Sequence, residues 1–249
     1  MSATFVSDRL SRMRPASSLS VHLLGLVDFD AALGVQRHLV SETIASQRQS
    51  AHLILCEHPP GVSIGREGSR ADLLVEETEL RSRQMTIRWV PRGGATWVHL
   101  PGQLAAYLVV PVGRRQQSAG AFRQALLRAL QGTAADQRVA AWRSEASPGL
   151  ATRYGQVGFV GAAIRDGVSE FGCVLNVSTP PEALELIRWR SAEERVSCLA
   201  AARMRPLDMA GVRESLIRRL AQALDYSTYH LFTGHPLLTR TTRTAYVFR

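Results

Sequence analysis

An α+β fold is predicted for this chain, as one domain over residues 21–249. Three observations predict it. Short apolar stretches of strand length, such as Ala51–Cys56, are interspersed with longer stretches of helical spacing. The helical stretches are inserted among hairpins and mixed strands, which is not the order of a regular βαβ repeat. No internal repeat or low-complexity linker divides the 249 residues, and a hydrophobic content of 45% supplies a sizeable core.

The elements follow in order. Residues 1–20 mix Arg9, Arg12 and Arg14 with serines and are expected to form a flexible start. Val21–Gly25 is a short apolar strand. Asp28–Gln47 reads as a helix, with Phe29, Leu33, Gln36 and Val40 on one face and Asp28 or Asp30 near its start. Ala51–Cys56 is a buried strand that stops at Pro59 and Pro60. Val62–Gly65 is a second short strand. Glu76–Arg83 is a polar helix or turn, and Met85–Val90 alternates as a strand does.

A glycine-containing loop from Arg92 follows, then a strand over Leu104–Val112. Ala119–Leu130 fits a helix with Phe122, Leu126, Ala129 and Leu130 inward. Gln156–Ala162 and Gly167–Val177 form a hairpin turning at Asp166-Gly167. Pro181–Ile187 is a short helix. Met209–Leu224 is amphipathic, with Val212, Leu216, Leu220 and Leu224 on one side and a small C-terminal subregion around it over 200–249. The alternation around Tyr246 and Phe248 suggests that Thr239–Arg249 adds an edge strand or contacts a partner.

Composition narrows the function. No apolar run approaches the length of a membrane span, and the start lacks the pattern of a secretory signal, so the cytoplasm is the expected location. The three cysteines, Cys56, Cys173 and Cys198, are too far apart for a local metal motif and read as free, buried thiols. His230 and His235 lack acidic or cysteine partners at metal spacing, so no metal is expected. The net charge is +9, and every one of the 30 basic residues is an arginine. No side-chain amine is therefore available as acid, base or Schiff-base partner. The positive charge suits an acidic partner. The arginines are scattered, with pairs at Arg114–Arg115 and Arg218–Arg219, which argues against a nucleic-acid surface.

Two segments carry the candidate site. In Arg92-Gly93-Gly94-Ala95-Thr96-Trp97-Val98-His99-Leu100-Pro101-Gly102-Gln103, paired glycines let a ligand approach the backbone, and Arg92 and His99 offer polar groups for a ligand rim. A sharp turn held by Arg92 and His99 explains the same residues. The second segment joins Gln156-Val157-Gly158-Phe159-Val160-Gly161 to Phe171-Gly172-Cys173-Val174-Leu175-Asn176. Its glycines admit a ligand or mark bulges, and Asn176 either binds a polar head or organises a loop.

Together these segments resemble the lipoyl(octanoyl) transferase family, within the biotin and lipoate protein ligases. The family's pattern R-G-G-x-x-T-Y-H-G-P-G-Q-L is matched at Arg92, Gly93, Gly94, His99, Pro101, Gly102, Gln103 and Leu104. Glu57-His58-Pro59-Pro60 resembles its E-H-x-P turn, Gly65-Arg66 a following G-R, and Leu175-Asn176-Val177 its L-N-V. The resemblance covers Leu24 to Leu199. It implies a mixed sheet packed by helices, a fatty-acyl ligand, and acyl carrier protein or a lipoyl-domain protein as partner, with no cofactor.

The departures concern the chemistry. The family's K-I-x-x-I-G lysine is Gln156 here, its H-G-x-x-L-N histidine is Phe171, and its P-C-G cysteine falls near Trp189. The resemblance implies transfer through a cysteine thioester assisted by a lysine; glutamine and tryptophan can supply neither role. The expectation is a member that has lost standard transfer and binds an acyl group or a carrier. Its ligand residues would be Arg92, Gly93, Gly94, His99, Gln156, Gly158, Phe171, Gly172 and Asn176. The alternative is an active transferase with Cys173 as relocated nucleophile and His99 as a second catalytic candidate. Trp97 and Trp189 are expected to narrow the acyl space.

Overall fold

The computed structural model describes residues 18–112, 118–144, 147–187 and 195–238. Trp189, the Arg114–Arg115 pair, the N-terminal 17 residues and the tail from Thr239 lie outside them.

The centre is an eight-stranded mixed sheet. Its first strand, β1 (Ser18–Leu26), begins inside the segment expected to be flexible, because Leu19 and Val21 are fully buried against the core. Helix α1 (Phe29–Ala45) follows, capped by the Asp28 carboxylate accepting the Ala31 N–H, with Leu33, Gln36 and Val40 buried as the spacing predicts. Strands β2 (His52–Glu57) and β3 (Gly61–Ile64) come next, then the short helix α2 (Glu77–Ser82) and β4 (Thr86–Trp89). Thr96–His99, expected to be loop, is strand β5 and pairs antiparallel with β3. Its four residues are all buried, and the pairing supplies the backbone partners that burial demands.

Strand β6 (Gln103–Val109) and helix α3 (Ala119–Asp136) precede two strands that local pattern does not reveal, β7 (Trp142–Arg143) and β8 (Gly149–Thr152). The predicted hairpin is β9 (Gly155–Arg165) and β10 (Val168–Asn176), turning at Asp166-Gly167. The predicted short helix is a 3-10 turn over Pro181–Leu184. Helices α4 (Leu199–Arg203) and α5 (Met209–Ala223) lead to a further unexpected strand, β11 (Thr228–Thr233).

The large sheet runs β11-β1-β2-β6-β10-β9-β8-β7, with β1 parallel to both its neighbours and the other pairs antiparallel. The small sheet runs β4-β3-β5. Alternation along β6 and β10 feeds two cores. Leu104, Ala106, Leu108, Cys173 and Leu175 face α3 and α5. Ala105, Tyr107, Val109, Phe171 and Val174 face α1 and the small sheet. Residues Val212, Leu216 and Leu220 of α5 belong to the first core, so this helix packs within the body. No helix among the described residues is long and apolar enough to cross a membrane.

Candidate functional site

Arg92 anchors the loop between β4 and β5. The residue is 1% exposed. One terminal nitrogen donates to Ser63 O at 2.9 Å and Ser63 Oγ at 2.8 Å; the other donates to Ala95 O at 2.9 Å and Gly93 O at 3.1 Å. The planar fork lies 3.5 Å above the centre of the Trp97 ring. Burial pushes its pKa down to about 9. Arg92 is therefore the clasp of the loop and lies behind it.

His99 sits beneath the same clasp. Ser63 Oγ accepts from Arg92 and also hydrogen-bonds His99 Nε2 at 2.7 Å. Burial first, then His58 and Arg92, hold His99 well below its ordinary pKa, so the ring is neutral. His58 Nδ1–H donates to Val27 O at 2.9 Å, which leaves Nε2 to accept from the Tyr107 hydroxyl at 2.6 Å. Cys56 Sγ lies 3.5 Å from that nitrogen, and burial pushes the thiol's pKa up. Phe29 packs on both His58 and His99. This polar chain is buried in the core facing α1, with His99 reaching a small pocket of about 20 Å³ beside Phe29 and Gly61.

The second segment is equally committed to structure. Gln156 is buried, its Oε1 accepting from Ser147 Oγ at 2.7 Å and its Nε2 donating to Gly158 O at 3.1 Å. Its backbone bonds Arg195 O and the Ser197 N–H. Asn176 accepts from Gln103 Nε2 at 3.0 Å and donates to Ser197 O at 3.0 Å. Gln156 and Asn176 thus grip the same segment, 195–197. Gly158 faces Leu130, Leu150 and Leu175, and a Cβ on Gly172 would lie 2.4 Å from Ala106 O, so both glycines serve close packing. Phe171 has φ of 59°, a strained value for an aromatic residue, and gives its N–H to Gln36 Oε1 at 2.8 Å. Cys173 is 1% exposed in the apolar core, and burial pushes its thiol up to about 12. A thiol placed so is protonated at neutral pH and out of reach of a substrate.

The glycines do reach open space. A cleft of about 490 Å³ lies between the clasped loop, β9 and the start of α3. Gly93 and Gly94 form one wall, Gly161 and Ala162 another, and Arg66, Glu67 and Arg123 line it as well. Gly93 N–H donates to Ala162 O at 3.1 Å, and Gly94 N–H to Glu67 Oε1 at 3.1 Å, which stitches loop to strand. Of the residues that sequence proposes for the ligand, Gly93 and Gly94 line this cleft; Arg92, His99, Gln156, Gly158, Phe171, Gly172, Cys173 and Asn176 do not. Arg66 was visible only through the Gly65-Arg66 match, and Arg123 carries no local signal. None of the chain's three cysteines lines the cleft, and all three are buried. A larger hollow, about 800 Å³, lies at the other edge of the sheet between β1 and β11 and contains none of the motif residues. Among the described residues no group of side chains is arranged to hold a metal.

Comparison with known proteins identifies the family and the fold. The lipoyl protein ligase A/B catalytic domain family matches residues 28–221. An octanoyltransferase of Geobacter metallireducens is 32% identical over 86% of this chain and 97% of its own length. One from Geotalea uraniireducens is 35% identical over 63% of this chain and 69% of its own. The fold is shared with lipoate-protein ligase A solved with bound ATP, at a TM-score of 0.70 and 16% identity, over 88% of this chain and 90% of that one. It is also shared with the bipartite lipoate protein ligase of Thermoplasma acidophilum, at a TM-score of 0.68 and 15% identity, over 88% of each chain. The chain belongs to the lipoyl protein ligase A/B catalytic domain family.

Proposed function

We propose that this family member binds an acyl group presented on a carrier protein in the cytoplasm, and that it has lost the two-step thiolate transfer of the octanoyltransferases. The observation that carries the reading is at Gln156. It stands where the family's pattern has a lysine, and its amide is taken up by Ser147 and Gly158 rather than turned to the cleft. An uncharged amide cannot stabilise a thiolate or relay the proton of an attacking amine. No thiol lines the cleft to need that help. Transfer from Cys173 would require the thiol to leave the apolar core and shed a proton held up to about pH 12.

What remains suits binding. The glycine walls admit an apolar chain, and Arg66 and Arg123 offer positive charge beside it. The net charge of +9 favours an acidic carrier domain. Among structural relatives, the T. acidophilum ligase was studied with its E2 lipoyl domain. Titration of the full chain with acyl carrier protein and with lipoyl domain, each apo and acylated, tests the reading. An acylated carrier should bind more tightly than its apo form. Equal affinity for both forms, or none for either, contradicts it.

A further inference from the structure

We propose that Trp97 sets the length of acyl group the cleft accepts, and that the natural cargo is shorter than octanoyl. The inference rests on the reading of the cleft as an acyl site.

Trp97 lies on β5, buried directly behind the glycine wall. A Cβ built on Gly161 would sit 2.7 Å from its Cη2 and 2.8 Å from its Cζ2; one on Gly94 would sit 3.6 Å from Cζ2. Both glycines line the cleft, so the indole occupies the space immediately beyond them. The family pattern quoted above has threonine at this position. Replacing threonine by tryptophan fills with an aromatic bicycle the room between loop and strand that a longer chain would enter.

The indole is also pinned. The Arg92 guanidinium covers one face at 3.5 Å, and that guanidinium is itself tied to Ser63, Gly93 and Ala95. Phe159 packs at 5.9 Å between ring centres. Swinging the ring aside would uncover the buried cation and break the packing against Phe159, so the indole is a fixed stop. Up to that stop each added methylene gains about fourfold in affinity, the equivalent of ~0.8 kcal/mol. Beyond it, a further methylene must displace a packed ring.

The test is calorimetric titration of the full chain with butanoyl-, hexanoyl-, octanoyl- and decanoyl-pantetheine, in the native protein and in Trp97→Thr and Trp97→Leu. The native chain should bind hexanoyl or shorter groups best, with octanoyl weaker by about fivefold or more, the equivalent of ~1 kcal/mol or more of overpacking. Trp97→Thr should move the optimum to octanoyl or longer. Trp97→Leu keeps an apolar side chain on β5 and should move it in the same direction if the threonine variant does not fold. A native optimum at octanoyl or decanoyl, or a folded variant with an unmoved optimum, overturns the role of Trp97 and leaves the acyl site standing. Absence of binding at every length in native and variant chains overturns the acyl site itself and this inference with it.

Discussion

Arg92 shows how a motif arginine can be spent entirely on architecture. Its terminal nitrogens are held by the oxygens of Ser63, Gly93 and Ala95, with no carboxylate among its hydrogen-bond acceptors, and its Nε has no partner. Lysine cannot span these acceptors or stack flat on Trp97. Arg92→Lys should therefore lower stability by ~2 kcal/mol or more in denaturant titration, since buried acceptors lose their donors; a change near zero would mean the clasp is dispensable. Cys173 makes a second prediction at this scale. With its pKa pushed up to about 12 and the side chain buried, it should resist iodoacetamide at neutral pH in the folded chain and react after denaturation. Rapid native alkylation, located by peptide mass, would contradict the burial. Residue type in sequence leaves the choice open, because Arg92 and His99 suit a ligand rim as well as a turn, and Gln156 a ligand, until Ser63 and Ser147 arrive from elsewhere in the chain to satisfy them.

At the scale of elements, one carboxylate ties α3 to α5 beside their shared apolar core. Asp136 accepts from Ser215, Arg218 and Arg219, and these bonds, led by Arg219, hold its pKa well below the usual carboxylate range. Asp136→Asn should destabilise the fold by ~1–3 kcal/mol in urea, and a wild-type midpoint in the variant would show that apolar packing alone joins the helices. The two helices were legible in sequence because Phe122, Leu126 and Leu130, and Val212, Leu216 and Leu220, repeat at helical spacing over several turns. Strand β7 has two residues and leaves no period to read. Strand β11 is exposed throughout, so the burial alternation that marks a strand is missing. Thr96–His99 is too short and too close to Gly93-Gly94 and Pro101-Gly102 to separate from a loop. The candidate site was half legible for the same reason. Its glycine wall is contiguous in sequence, whereas the opposite wall comes from α3 and β9 and exists only after folding.

The molecule as a whole buries several neutral histidines, and this dictates its response to acid. His22, His52 and His58 are lowered from 6.5 to about 4, in each case chiefly by burial. The unfolded chain takes up protons on these rings below pH 6.5 while the folded chain refuses them until about pH 4. Their contribution to stability is thus complete above pH 6.5 and is lost as pH falls through that window. Urea unfolding should show stability declining from pH 6.5 to pH 4, with a smaller decline in His52→Gln; a flat profile would contradict burial of neutral rings. Function at this scale turns on acyl transfer. The full chain should be mixed with octanoyl-acyl carrier protein and a lipoyl domain, and every component weighed by intact mass spectrometry over time. The account predicts an unmodified chain and an unmodified lipoyl domain. An octanoyl mass added to either one above the rate without the chain would contradict it.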